Sequence, residues 1–376
     1  MATCGEVLVK LLEGYGVDHV FGIPGVHTVE LYRGLAGSSI RHVTPRHEQG
    51  AGFMADGYAR TRGKPGVCFI ITGPGMTNIT TAMGQAYADS IPMLVISSVQ
   101  SRDQLGGGRG KLHELPNQGA LVAGVAAFSH TLMSAADLPQ VLARAFAVFE
   151  GARPRSVHIE IPLDVLVEPA DHLLPARPVR SSRAGAAPQA VARMAERLAQ
   201  AHKPLILAGG GALAAGPALA RLAEHLQAPV ALTINAKGLL PSHHPLQIGS
   251  TQSLVATRAL VAEADVVLAI GTELAETDYD VTFKGGFEIP GSLLRVDIDP
   301  DQTVRNYLPE LALVADAKLA AEALFDALQQ QPQPQRDERW GAARAQLLRA
   351  SLAASWDQPT LSQTRLLTSI LERLPN

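Results

Sequence analysis

Glu48 stands in the run Arg46-His47-Glu48-Gln49-Gly50-Ala51-Gly52, where three small residues leave open space beside a carboxylate. A carboxylate so placed can hold or move a proton on a bound ring or substrate. It can equally do no more than complement the dipole of a helix that starts there, and spacing alone leaves both readings open. The run Ile70-Ile71-Thr72-Gly73-Pro74-Gly75-Met76-Thr77-Asn78 brings two glycines and a side-chain amide to a helix start. Such a turn lets a ligand approach the backbone at the C-terminal edge of a strand, and it also serves plain chain geometry. A third run, Gly106-Gly107-Gly108-Arg109-Gly110-Lys111-Leu112-His113-Glu114, reads as a mobile loop carrying acid–base groups to a site, or as a solvated loop. Gly209-Gly210-Gly211 follows a strand but lacks the GxGxxG spacing, so it is a weak nucleotide signal.

These groups need elements that hold them. Val7, Leu8, Leu11, Leu12 and Tyr15 recur at helical spacing and predict a first helix closed by Gly14 and Gly16. Strands are predicted at His19–Phe21, Ile40–Thr44, Val67–Thr72, Met93–Ser97 and Val157–Ile161, with a helix over Gly50–Thr61. A second series runs Leu205–Ala208, Val230–Thr233, Val266–Ile270 and Leu293–Ile298, with helices around Ala218–Leu226, Ser253–Ala262 and Lys318–Leu328. Strands without polar alternation, each followed by a helix, predict an α/β fold of two doubly wound, mainly parallel-sheet domains. The Ala, Pro, Arg and Ser composition between Glu168 and Pro188 marks a linker. A domain boundary is therefore expected within 167–188. Gln329–Gln335 is a polar low-complexity tract, and 331–376 continues as linker and two amphipathic helical stretches with no strand to pack against.

Composition narrows the class. The 376 residues are 47% hydrophobic and 18% charged, enough apolar surface for two cores. A net charge of −3 from 32 basic and 35 acidic residues points away from nucleic acid. Two cysteines give no disulfide framework, and neither a secretory leader nor a membrane-length apolar run is present. A cytoplasmic location is the expectation.

Taken together, the motifs are more specific than any one of them. Phe21-Gly22-Ile23-Pro24-Gly25, Arg46-His47-Glu48, Thr72-Gly73-Pro74-Gly75 with Asn78, Ala86-Tyr87-Ala88-Asp89-Ser90-Ile91-Pro92 and Arg295-Val296-Asp297-Ile298-Asp299-Pro300 follow one order. In that order the chain resembles the thiamine-diphosphate enzymes, within their acetohydroxyacid synthase and 2-oxo acid decarboxylase group. Residues 25–33 and 111–116 are most similar to the decarboxylases of 5-guanidino-2-oxopentanoate. The resemblance implies a pyrimidine-binding domain at 1–166 and a Rossmann-like middle domain at 189–330. It implies that Glu48 bonds the cofactor's aminopyrimidine and, by favouring one ring tautomer, makes the cofactor's reactive carbon acidic. Pro24, Gly25, Val26, Gly73 and Asn78 match cofactor-facing positions, and His113 matches a loop histidine that transfers a proton after CO2 leaves. Substrate contacts are expected at His27, Glu30 and Glu114. A planar guanidinium favours a bidentate carboxylate, with Glu114 the first choice and Glu30 the second. The resemblance also implies pairing of pyrimidine-binding domains in a homodimer or homotetramer.

Departures matter as well. The family's Gly-Asp-Gly…Asn segment, which holds Mg²⁺ on the diphosphate, is absent from the 376 residues, so the chain reads as truncated, with no metal ligands of its own. Weak binding of thiamine diphosphate and Mg²⁺ is the expectation for it. Leu112-His113-Glu114 and Phe128-Ser129-His130 replace the Phe-Gln-Glu and Thr-Lys-His of synthases, which weighs against synthase activity. Val26 replaces an acid of the pyruvate-decarboxylase-like members. Gly209–Ala212, Asn235–Gly238 and Arg153 match positions around the synthase FAD, but Gly249-Ser250-Thr251-Gln252 departs from it, favouring a vestigial pocket over an occupied one. The alternatives are an acetohydroxyacid-synthase-like carboligase and a non-catalytic remnant that pairs with a full-length partner.

Overall fold

The computed structural model describes residues 1–174, 176–279, 285–332, 334, 336–354 and 358–373. They divide into two compact units, Met1–Arg183 and Ala184–Asn376.

The first unit contains β1 (His19–Gly22), β2 (Arg41–Val43), β3 (Gly66–Ile70), β4 (Met93–Val99), β5 (Ser129–Thr131) and β6 (Ser156–Pro162). They form one sheet in the order β2-β1-β3-β4-β6-β5, with every pairing parallel. β3, β4 and β6 are buried along their whole length, which is why β3 and most of β4 run apolar without alternation, whereas β6 carries Ser156, His158 and Glu160 between its apolar residues. One face packs on the helix Cys4–Gly14 and the helix Leu138–Gly151 through Leu8, Leu12, Leu142 and Phe146. The first of these helices starts on a capping box. The Glu6 N–H donates to Thr3 Oγ1 at 3.3 Å, and the Thr3 N–H to Glu6 Oε2 at 2.8 Å. The other face packs on the helices Glu48–Arg62 and Pro74–Ala88 through Ala55, Ile79 and Met83.

The second unit contains β7 (Pro204–Ala208), β8 (Val230–Leu232), β9 (Gln247–Gly249), β10 (Val266–Ile270), β11 (Ser292–Asp297) and β12 (Leu311–Val314). The order is β12-β11-β10-β7-β8-β9, again parallel throughout. The two-sheet, parallel α/β expectation holds.

The C-terminal stretch differs from its expectation as a linker without a strand to cover. Trp340, Ala345, Leu348 and Leu352 belong to the second unit's core with Leu205, Ile248 and Leu260. Trp340 Nε1 donates to the Pro204 carbonyl at 2.9 Å. The helix Ala342–Ala354 thus covers the sheet beside β9, an edge strand whose short polar sequence conceals it.

Candidate active site

In a parallel sheet the C-terminal strand ends share one edge, and a ligand crevice opens where the strand order reverses. In the first unit that point lies between β1 and β3. The chain leaves β1 through Gly22, where a Cβ would lie 2.1 Å from the Phe69 carbonyl oxygen, so only glycine lets the strand finish against β3. The following turn is fixed by Thr28, fully buried, whose Oγ1 accepts from the Gly25 N–H at 3.0 Å. This leaves Pro24 and Val26 exposed on the rim. Gly73 follows β3 with φ +71°. A Cβ there would lie 2.4 Å from the His113 carbonyl oxygen, which shows how closely the 106–116 loop lies on this turn.

Glu48 opens the helix Glu48–Arg62 behind His47, whose Nδ1 accepts from the Gln49 N–H at 3.1 Å. Half-buried, it accepts at Oε2 from Asn78 Nδ2 at 2.9 Å. Asn78 comes from the helix Pro74–Ala88, and the two helices cross closely at Gly52, where a Cβ would lie 2.4 Å from Ala82 Cβ. Oε1 of Glu48 has no hydrogen-bond partner among the described residues, and the bare Cα of Gly75 faces it. An acceptor oxygen free at the crevice, with its twin anchored, fits the aminopyrimidine of thiamine diphosphate. Among the described residues, no group of three or more His, Cys, Asp or Glu is placed to hold a metal ion.

His27 and His113 meet edge to face, ring centroids 5.7 Å apart, and the Nδ1 of each is buried without a partner. Burial, then the neighbouring His113, pushes His27 below the usual histidine range. His113 has a left-handed backbone, φ +59°, at the tip that touches Gly73.

The two carboxylates expected at a substrate have other work. Glu114 ties its own loop, accepting from the N–H groups of Gly108, Arg109 and Lys111 at 2.7, 3.3 and 2.9 Å. These bonds, Lys111's first, hold its carboxyl below the usual range. Glu30 accepts from Thr3 Oγ1 at 3.1 Å and pairs with Arg33 at 3.1 Å.

A buried polar network adjoins the crevice and escaped sequence reasoning. Gln118 Oε1 accepts from Thr72 Oγ1 at 2.8 Å and from the Gly73 N–H at 2.9 Å. Its Nε2 faces Glu160 Oε2 at 3.0 Å, the Ser98 carbonyl at 2.9 Å and Ser97 Oγ at 3.1 Å. His158 lies between Ser97 and Ser129 at 2.9 and 2.8 Å, and full burial drives it down to about 3. The signal lay in β6, where a wholly buried strand alternates Ser156, His158 and Glu160 with Val157, Ile159 and Ile161.

In the second unit the glycine turn packs on the chain itself. A Cβ on Gly209 would lie 2.2 Å from the Gly271 carbonyl oxygen, and one on Gly271 2.6 Å from Ala212 N. These glycines serve backbone packing.

The profile described as "Thiamine pyrophosphate enzyme, N-terminal TPP binding domain" matches residues 2–121. That for the central domain of the same family matches residues 191–324. The chain belongs to the thiamine pyrophosphate enzyme family. It is 52% identical over 374 residues to the "Probable 2-ketoarginine decarboxylase AruI" of Pseudomonas aeruginosa, covering 99% of this chain and 66% of that protein. It is 32% identical to the acetolactate synthase isozyme 1 large subunit of Escherichia coli, covering 88% of this chain and 58% of that one. A solved Mycobacterium smegmatis structure described as thiamin diphosphate-dependent superposes with TM-score 0.78 at 26% identity, covering 90% and 64% of the two chains. The chain thus spans less than two thirds of the length of these relatives. The family resemblance drawn from the motifs holds, and the family places a thiamine diphosphate cofactor at sites of this kind.

Proposed function

We propose that the protein carrying these two units is a thiamine-diphosphate-dependent decarboxylase that converts 5-guanidino-2-oxopentanoate to an aldehyde and CO2. The observation that carries the reading is Glu48, anchored by Asn78 and open at Oε1 in the crevice of the first sheet. The 52% identity with a protein named for 2-ketoarginine, the same compound as the guanidino oxo acid, supports the substrate. When bound, the cofactor would supply a carbon that becomes nucleophilic on losing its proton and a ring that serves as electron sink for the loss of CO2. Glu48 holds the aminopyrimidine through a charge-assisted hydrogen bond. Pro24, Gly25, Val26, Gly73 and Asn78 form the wall against the ring. His113, with His27 beside it, gives a proton to the carbon that CO2 has left.

The first unit serves as pyrimidine-binding domain over 1–166 and the second as middle domain over 189–330. The ligands of the diphosphate and Mg²⁺ come from sequence of the Gly-Asp-Gly…Asn type, which these residues do not contain. Val26, Phe53 and Met54 expose 69%, 43% and 44% of their surfaces, which suits pairing of first units in a homodimer or homotetramer. No helix among the described residues is long and apolar enough to cross a membrane, and a cytoplasmic setting with a small oxo acid as substrate fits the family's metabolic chemistry.

The test is product analysis of the full-length gene product with thiamine diphosphate and Mg²⁺. Guanidino acid giving CO2 and an aldehyde is the expected result. Acetolactate from pyruvate at a higher kcat/KM would replace the reading with a carboligase, and no turnover of either acid would leave a non-catalytic partner.

A further inference from the structure

We propose that the cavity beneath the 105–117 loop is the subsite for the substrate's cationic tail, with Glu160 as the carboxylate that receives the guanidinium. This rests on the reading above and names the residue that sets specificity within it.

The cavity, about 270 Å³, opens beside Thr72 and Gly73 between the loop and the ends of β4, β5 and β6. Pockets for drug-sized ligands run to roughly 300–1,000 Å³, so this one suits a short chain with a compact head. Val99, Leu105 and Leu115 give it apolar walls for a methylene stem, and Glu160 is the charged residue in its lining.

Glu160 is 4% exposed, and among the described residues no Arg, Lys or His pairs with it. Its partners are neutral donors, Gln118 Nε2 at 3.0 Å and Thr131 Oγ1 at 2.6 Å. The orientation of the Gln118 amide follows from Gly73, whose N–H can only donate and so fixes Oε1 on its own side and Nε2 toward Glu160. Both carboxylate oxygens therefore accept from neutral groups, and neither meets a counter-charge. A buried carboxylate in that condition is costly unless a cation completes it. A guanidinium entering the cavity offers the planar donor fork that a carboxylate matches best. Because Gln118 holds Glu160 and the Gly73 turn at once, the tail subsite is in fixed register with the crevice where Glu48 waits. Glu30 and Glu114 are spent on Arg33, Thr3 and loop amides, which leaves Glu160 as the acid facing open volume.

Saturation-transfer NMR on residues 1–376 with butylguanidinium, and with butylurea as its neutral isostere, tests the subsite without cofactor. Butylguanidinium should bind about tenfold to a hundredfold tighter, the range of a hydrogen bond to a charged partner, and Glu160→Gln should erase that preference. Should that variant fail to fold, Leu105→Lys on the cavity's lid brings an internal ammonium to the same carboxylate and should displace the probe. In the full-length protein, Glu160→Gln should lower by at least about tenfold the ratio of kcat/KM for the guanidino acid over its ureido analogue. Equal binding of the two probes, or a preference that survives Glu160→Gln, overturns the proposal. CO2 release without guanidinium preference removes the subsite and spares the reaction; preference without CO2 release does the reverse.

Discussion

The two units have the same architecture and put their glycines to opposite uses. Each is a six-stranded parallel sheet with helices on both faces, and each ends a central strand in a glycine turn at the C-terminal edge. In the second unit that turn closes on itself. Gly209 and Gly271 press backbone on backbone, and the buried Arg295 behind them donates to the carbonyls of Thr272 and Arg305 at 2.9 and 2.7 Å. In the first unit Gly73 presses on a loop instead, and the same edge keeps groups with unmet bonding capacity: Glu48 Oε1, His27 Nδ1 and His113 Nδ1. Buried polar atoms are normally satisfied, so a cluster of unmet ones marks where a ligand belongs. The contrast is one of the two glycine turns, since the second unit also holds a buried amide without partners, Gln252, shortly after β9.

The largest effect is expected of Glu48→Gln. The amide keeps the size of the acid and a bond to Asn78, but it cannot stabilise a protonated ring. Loss of a preorganised electrostatic contact of this kind costs about 10²–10³-fold in rate. Deuterium exchange at the cofactor's reactive carbon should slow accordingly in the full-length protein, while thermal unfolding stays at the wild-type temperature. Exchange at the wild-type rate would remove Glu48 from its role.

The paired glycines come next. Gly271→Ala places a Cβ 2.6 Å from Ala212 N at φ +59°, with packed backbone on both sides and nowhere to relax. It should cost about 2–4 kcal/mol in urea melts. Gly73→Ala meets His113 at 2.4 Å and φ +71°, but a loop can lift away. Its stability loss should be smaller, with faster hydrogen exchange across 105–117. Equal losses in the two variants would mean that the loop is as rigid as the second unit's turn.

Much of this was legible in the sequence. Central strands such as β3, β4 and β10 declare themselves because burial on both faces forces apolar runs. β5, β9 and β12 did not, since each is a short edge strand that needs no such run. Glu48, Asn78, Gly25 and Gly73 could be gathered only through the order of motifs that resembles the family, since each segment alone admits a plain structural reading. Gln118 and Glu160 could not. They are 42 residues apart, and their meeting depends on β6 lying beside β4, an order no local pattern encodes. Ala345, Leu348 and Leu352 show the same limit. Their spacing gives a helix, but the surface it covers includes β9.

His158 gives the first unit a dependence on pH. Buried between two serines, it stays neutral down to about 3 against an ordinary 6.5, so the unfolded chain takes up a proton that the folded chain refuses. Its contribution is fully present above pH 6.5 and is lost as pH falls toward 3, at about 1.4 kcal/mol per pH unit. Moving from pH 7 to pH 5 should therefore cost the first unit about 2 kcal/mol, and His158→Gln should flatten that slope. A slope unchanged in the variant would assign the acid sensitivity elsewhere.

The smallest effect separates two carboxylates of the same unit. Glu114 is half-buried and binds three amides of its own loop in bonds open to solvent, whereas Glu160 is buried and faces a cavity. Glu114→Gln keeps one good acceptor and gives up the charge, so the loop loosens without losing its fold. Exposed charge contacts are weak, so KM should rise by less than about fivefold, and by the same factor for the guanidino acid and its ureido analogue. The amides of Gly108, Arg109 and Lys111 should exchange faster. A loss confined to the guanidino acid would return the cation to the loop and take it from Glu160. A uniform loss is what a loop tie requires, because a residue that only shapes the lid cannot distinguish a charged tail from a neutral one of the same length.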